Sequence, residues 1–334
     1  MAGKRILRTG GERLRFVDDT APGFTRRRSG KVWAYFDPEG KRVSDRDTID
    51  RLNGIALPPA YTQAWYCPEP DGHLLATGID ARGRKQYRYH PGYRAHRESA
   101  KFDGCAAFGR LLPKLRARVA EDLARSGLGR ERAIASVVRL LDCSAIRVGS
   151  EEYARDNKTF GATTLRMRHA RVTGGKVRLA FLAKSGKRCE LTLSDKALVR
   201  FVRRMQDLPG QHLFQYLDAD GTAQPVGSAE VNAYLRAATG SDFTAKHFRT
   251  WHASALAFEL LAEAEGQVSL KELLGAVSER LGNTPAVARK SYVHPAVLAL
   301  VERQEKWRAK LKLPRDAKWL SRHERGLVAF LEKA

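Results

Sequence analysis

The sequence predicts an α+β protein in two parts: a small β-rich domain over residues 1–92 and a larger, mainly α-helical domain over 93–334. Three observations predict this. Before residue 90, short runs of apolar and aromatic residues alternate with a period of two, the pattern of half-buried strands. Beyond residue 93 the apolar period becomes that of a helix face. The chain's 334 residues also exceed what one small core organises, so two domains are expected.

Taken in order, Lys31-Val-Trp-Ala-Tyr-Phe36 reads as a strand, Asp37-Pro-Glu-Gly40 as a turn and Lys41-Arg-Val43 as the returning strand. Ser44 opens a short helix through Leu52, with Asp47 favouring its first turn. Ala64-Trp-Tyr-Cys67 and residues 73–79 read as further strands about a turn at 68–72. Arg84-Lys-Gln-Tyr-Arg-Tyr-His90 alternates basic and aromatic side chains as a strand does. His90-Pro-Gly-Tyr93 breaks both patterns and is expected to be a linker. Leu111, Leu112, Leu115, Val119 and Leu123 then form one helical face, and Ile134, Val137, Val138 and Leu141 a second. Strands at 176–182 and 188–193 flank the turn Ala183-Lys-Ser-Gly-Lys187. Helices follow over 194–208, 228–239, 246–264, 270–281, 284–292, 295–311 and 322–333.

Lys and Arg total 60 against 37 Asp and Glu, a formal net charge of +23. Such an excess points to a polyanionic partner, nucleic acid first. No apolar run approaches the ~18 residues of a membrane span. Met1-Ala-Gly-Lys-Arg-Ile-Leu-Arg8 is basic but no hydrophobic core follows it, so no secretory signal is expected. Cys67, Cys105, Cys143 and Cys189 form no CxxC pair, which fits a reducing compartment and argues against a zinc ribbon. The histidines are dispersed, with His247 and His252 five apart rather than four, and no phosphate-binding G-x-x-x-x-G-K-[ST] occurs. Neither metal nor nucleotide cofactor is expected.

One stretch stands out: Leu281-Gly-Asn-Thr-Pro-Ala-Val-Ala-Arg-Lys-Ser-Tyr292 sets Asn283 nine positions before Tyr292 in a strongly basic chain. A tyrosine that attacks a phosphodiester needs an acid for the leaving oxygen, positive charge on the non-bridging oxygens and tight positioning. Arginine suits the second task, because its planar fork stays charged and binds phosphate oxygens in pairs. Arg147, in Ala145-Ile-Arg-Val-Gly149, and Arg249, in Lys246-His-Phe-Arg-Thr-Trp-His252, have the apolar and aromatic neighbours that solvated arginines lack. Lys184 sits at a hairpin turn, where a lysine is either a solvated charge or a general acid delivered by a loop. Asn283 is a good helix-boundary residue and also a donor to a phosphate oxygen. Tyr292 taken alone reads by default as a packing residue.

The order Arg, Lys, Arg, then Asn-Thr-Pro with tyrosine nine after the Asn, resembles the type IB DNA topoisomerases of the poxvirus-like and bacterial branch. Ile146-Arg-Val-Gly-Ser-Glu-Glu-Tyr153, Lys158-Thr-Phe-Gly-Ala-Thr-Thr-Leu165 and residues 181–186 extend the resemblance. So do Leu57-Pro-Pro-Ala-Tyr61 and residues 76–90. The resemblance implies a C-shaped DNA clamp hinged near Pro91-Gly92, built from the small β domain and a catalytic domain of the tyrosine recombinase/type IB topoisomerase type. It implies that Tyr292 becomes joined to the 3′ end, that Arg147 and Arg249 stabilise the transition state, and that Lys184, rather than Lys187, protonates the 5′-oxygen. Asn283 stands where many relatives carry histidine, and acts by hydrogen bonding. Gln86, Tyr87 and Tyr89 are carried over as DNA contacts, with Arg84, Lys85 and Arg88 beside them; the other reading of that strand buries both tyrosines beneath a solvated face. A monomer acting on double-stranded DNA in the cytoplasm, at the nucleoid, follows. Tyrosine recombinases share the chemistry but place histidine three residues before the second arginine, where Lys246 stands. An architectural DNA-binding protein would need the charge but not Tyr292.

Overall fold

The computed structural model describes residues 6–9, 12–208 and 210–334; the first five residues, part of the stretch read as lacking a secretory core, lie outside them. The chain divides into two compact units, Met1–Lys101 and Phe102–Ala334.

In the first unit β1 (Ile6–Thr9) and β2 (Glu12–Arg15) pair as an antiparallel ribbon. A second, five-stranded antiparallel sheet contains β3 (Phe24–Ser29), β4 (Val32–Phe36), β5 (Thr62–Tyr66), β6 (Leu74–Ile79) and β7 (Lys85–Tyr89), in the order β4-β3-β5-β6-β7. Helix α1 (Arg46–Gly54) is capped by Asp45, whose carboxylate accepts from the Thr48 N–H at 2.8 Å. Tyr35, Leu52, Leu57, Ala64, Tyr66 and Ala76 form the core. The expected returning strand at 41–43 is not one: Arg42 makes only an isolated bridge to Phe36, and β4 pairs instead with β3. Three consecutive arginines hide β3 in the sequence. Arg26 lies 4.1 Å over the Trp33 ring and Arg27 4.8 Å over that of Phe36, so their stems and guanidinium faces cover aromatic surface that an apolar residue covers elsewhere.

The linker expected at 90–93 is not observed. Pro91 begins a continuous helix, α2 (Pro91–Ala124). At the first helical position a proline loses no intrahelical hydrogen bond, and the Gly92 N–H donates to His90 Nδ1 at 3.1 Å.

The second unit continues from α2 through α3 (Arg130–Ser144) and α4 (Glu151–Asn157) to the sheet β8 (Ala170–Thr173), β9 (Lys176–Leu182) and β10 (Arg188–Leu193), ordered β10-β9-β8. Next come α5 (Lys196–Met205), the hairpin β11 (Gln215–Leu217) and β12 (Ala223–Pro225), α6 (Ser228–Thr239), α7 (Ala245–Glu263), α8 (Leu270–Leu281) and α9 (Pro285–Ser291). The expected helix over 295–311 is broken into α10 (Pro295–Leu298), a 3-10 turn and α11 (Gln304–Arg308). Buried Gln304 explains the break: its amide donates to Val268 O and Val301 O and accepts from Val268 N, fixing the chain here by bonds a regular helix does not make. Helix α12 (Arg322–Leu331) follows. One core, with Phe108, Leu112, Leu141, Phe248, Trp251 and Phe258 fully buried, joins the helices to the inner face of β9. Among the described residues no helix is long and apolar enough to cross a membrane.

Candidate active site

Arg147 is placed by two backbone segments in contact. Helix α3 ends at Ala145, which is left-handed (φ 57°) and donates its N–H to Leu141 O. Beyond it, Arg147 O accepts from Ala162 N at 2.9 Å and Val148 O accepts from Thr163 N at 2.7 Å. Gly149 has φ 101°, and a Cβ on Gly161 would lie 2.6 Å from both Arg147 O and Gly149 N. The segments therefore meet where only glycine fits.

Arg249, in the second turn of α7, is only 4% exposed. Its guanidinium donates to Ala145 O and to Leu281 O (2.9 Å), carbonyls at the C-terminal ends of α3 and α8. Helix C-termini favour a cation, so the charge is held by dipoles. Among the described residues neither Arg249 nor Arg147 has an ion-pair partner. The Arg249 guanidinium carbon lies 4.8 Å from the centre of the Tyr292 ring.

Tyr292 caps α9, whose own start is fixed by Thr284 at the N-cap and Pro285 at the first position. Its N–H donates to Ala288 O at 3.1 Å. Its carbonyl accepts from Ser254 Oγ on α7 (3.4 Å), and the same oxygen of Ser254 accepts from His294 N (3.0 Å). Burial pushes the phenol's pKa up, but the positive charge of Arg249, then Arg147 and Lys246, outweighs it, and the net result lies below the ordinary tyrosine value. Burial, followed by the neighbouring Arg147, lowers the pKa of Arg249.

These groups share a cleft of about 320 Å³ whose wall includes Arg147, Tyr153, Lys184, Lys246, Arg249 and Tyr292. Lys184 stands in the turn between β9 and β10, where Ser185 (φ 67°) and Gly186 (φ 70°) are left-handed. Asn283 is not part of the cleft wall but stands directly behind it. Gly282 (φ 62°) ends α8, Asn283 N donates to Ser278 O at 2.9 Å, and Asn283 Oδ1 accepts from Arg147 Nη2 at 2.6 Å. A guanidinium only donates, so this bond fixes which amide atom is the oxygen. Asn283 Nδ2 and Arg249 Nε are then buried N–H donors with no acceptor among the described residues, available to an anionic ligand.

The structure thus brings Arg147, Lys184, Arg249, Asn283 and Tyr292 together. The other six candidates belong to the first unit. There β7 is an edge strand on which Tyr87 (47% exposed) and Tyr89 (38% exposed) stack with ring centres 6.0 Å apart. The tyrosines are therefore at the surface rather than in a β core. The polar neighbours are anchored: Arg84 and Gln86 bond to Asp80, Lys85 pairs with Asp19 at 2.7 Å, and Arg88 donates to Ala56 O. Sequence reasoning did not place Lys246 or Tyr153 in the site. Lys246 could have been found, since three residues before Arg249 on a helix puts it on the same face. Ser254 carries no such signal. Among the described residues no group of three or more His, Cys, Asp or Glu side chains is placed to hold a metal ion.

Comparison with known proteins agrees with this geometry. The family described as eukaryotic DNA topoisomerase I, catalytic core, matches residues 90–312. The bacterial DNA topoisomerase IB N-terminal domain matches residues 32–80. A DNA topoisomerase 1B of Acanthamoeba polyphaga mimivirus is 31% identical over 296 residues, covering 84% of this chain and 88% of that protein. A DNA topoisomerase 1B of Vaccinia virus (strain Copenhagen) is 19% identical over 267 residues, 77% of this chain and 83% of the viral one. A DNA topoisomerase 1 of Mycosarcoma maydis is 26% identical over 191 residues, 52% of this chain and 18% of that much longer protein. With the catalytic-core family spanning the whole cleft and a relative matched over most of both chains, the protein belongs to the type IB DNA topoisomerases, in the branch of the poxvirus-like and bacterial enzymes.

Proposed function

We propose that Tyr292 is the nucleophile with which this type IB DNA topoisomerase cuts one strand of a supercoiled duplex. The observation that carries the reading is a half-buried phenol of lowered pKa beside a buried guanidinium that has no carboxylate partner among the described residues. Tyr292 gives up its phenolic proton to solvent, its oxygen attacks the phosphorus and the P–O5′ bond breaks. Its electron pair stays on O5′, which takes a proton from the Lys184 ammonium. The 3′ end is then a phosphotyrosine ester, and the free 5′ end swivels about the intact strand. Attack by O5′ on the ester reverses each step and reseals the DNA.

Arg147 and Arg249 hold the non-bridging oxygens as negative charge gathers there, a fixed electrostatic contribution made without reorganisation. Asn283 orients Arg147 through Oδ1 and offers Nδ2–H to the same phosphate. One phosphodiester is exchanged for another, so the reaction needs no nucleotide, and the charge that a metal ion supplies in other enzymes comes from the two arginines. Gln86, Tyr87 and Tyr89, with Arg84, Lys85 and Arg88, meet the duplex; the exposed stacked tyrosines and adjacent cations of β7 support this. Every group the reaction uses comes from one chain, which supports a monomer acting where chromosomal DNA lies, in the cytoplasm.

The test is relaxation of supercoiled plasmid in EDTA without ATP, with the adduct trapped by denaturant. Wild-type protein relaxes the plasmid and carries the DNA on Tyr292, whereas Tyr292→Phe binds DNA and forms no adduct. Relaxation that required magnesium, or an adduct mapped to another tyrosine, would overturn the proposal.

A further inference from the structure

The hairpin between β9 and β10 carries two lysines, and they do different things. Lys184 lines the cleft that holds Tyr292. Lys187 does not; it lines an adjoining cavity of about 190 Å³ and donates from Nζ to the main-chain carbonyl of Asn283 at 2.9 Å. This bond joins a surface turn to the residue that already receives Arg147 on its side chain and opens the segment leading to Tyr292. Among the described residues, the hairpin tip's backbone bonds are short-range, from Gly186 N to Ala183 O and Ala183 N to Lys187 O, with Phe160 N donating to Leu182 O at its base. None of these fixes the tip against the tyrosine segment.

We infer that Lys187 is a positioning residue: a latch that docks the acid-bearing hairpin onto the Asn283 turn, so that Lys184 reaches the leaving oxygen while Tyr292 is in line. This rests on the reading of Lys184 as the general acid. A hydrogen bond from a charged donor is about twice as strong as one from a neutral donor, enough to favour one hairpin position, and misplacing a catalytic group by about 1 Å costs on the order of a hundredfold. The bond acts on one step only. Protonation of O5′ depends on the docked hairpin, whereas attack by Tyr292 and the charge on Arg147 and Arg249 do not.

The test compares single-turnover cleavage of ordinary DNA with that of DNA carrying sulfur in place of the bridging 5′-oxygen. A thiolate leaves without a proton, so a fault in acid delivery disappears on the sulfur substrate. Lys187→Met is expected to cleave ordinary DNA about ten- to a hundredfold more slowly and the sulfur substrate at close to the wild-type rate. Lys187→Arg, which can still donate to the carbonyl, recovers most of the loss. Lys184→Met shows the larger loss on oxygen and the same recovery on sulfur. Equal slowing of both substrates by Lys187→Met would mean a general structural role and overturn the latch, as would no slowing at all. If Lys184→Met cleaved ordinary DNA normally while Lys187→Met did not, the acid assignment itself would be wrong, a result distinct from failure of the latch alone.

Discussion

Arg116 and Arg249 are both buried in the larger unit, and they are held in opposite ways. Arg116, on α2, donates to both oxygens of Asp142 (2.9 Å each) and both of Glu324 (2.7 and 2.9 Å). Burial works against its charge, but the two carboxylates more than offset it, and its pKa is raised. Trp251 Nε1 joins the same cluster through Glu324 at 3.2 Å. This network ties α2, α3, α7 and α12 together. Arg249 lies three residues before His252, whose Nε2 is 3.8 Å from Asp142, on the same helix, yet its partners are carbonyls, the neighbouring charge that bears on it most is another arginine, and its pKa is lowered. A neutralised buried charge is part of the framework. A buried charge left without a counter-ion, in a cleft, is available to an anion that arrives from outside.

Exchange of the two arginines should separate chemistry from stability. Arg249→Ala is expected to slow cleavage by about a thousandfold while lowering stability less than Arg116→Leu does. Arg116→Leu leaves Asp142 and Glu324 buried without their cation and should cost about 3–5 kcal/mol, read by denaturant unfolding, with the folded fraction still cleaving DNA. Loss of catalysis in Arg116→Leu at full folding would break the distinction. A smaller effect tests the frame around Arg147. Gly161→Ala drives a Cβ into Arg147 O and should cost about 1–3 kcal/mol, with cleavage falling more than DNA affinity; equal falls in both would count against a positioning effect.

The pH dependence is the finest test. Burial raises the Glu324 carboxyl's pKa, but its bonds to Arg116 outweigh that and hold it below the ordinary value. The folded state therefore binds this proton more weakly than the unfolded chain. The resulting stability is complete above the unfolded carboxyl's pKa of about 4.3 and is lost as the pH falls through the folded value. Melting temperature against pH should show this acid limb in the wild type, and a shallower one in Arg116→Leu. At the other end, cleavage should rise with pH and level off below the ordinary tyrosine value of about 10, and Arg147→Ala should move that plateau upward. An unmoved plateau would show that Arg147 does not act on the phenol.

Much of the site was legible because its signals are local. Gly282, Asn283, Thr284 and Pro285 spell a helix end followed by a helix start, which fixes how Tyr292 is presented. Likewise Lys184 sits at a turn that its Ser-Gly neighbours require. What the sequence hid is non-local or chemically disguised. Strand β3 is masked by arginines that behave as aromatic covers. The Lys187 bond spans 96 positions, and Arg116 reaches Glu324 across 208; neither spacing leaves a pattern. Gln304 breaks a helix for reasons that lie 36 residues away. The two-part β-then-helical organisation was readable from periodicity, but the proline and glycine at 91–92 were misread, because the same residues that interrupt a helix can also begin one.

Helix α7 holds Arg249 near its start and, five residues on, Ser254, whose hydroxyl bonds to the main chain of Tyr292 and His294. Arg249 and the hydroxyl that holds the Tyr292 main chain are therefore both carried by α7. Warming should thus leave the rate constant of cleavage on a smooth temperature line until α7 itself melts, and activity should then vanish in a single step with the helix signal.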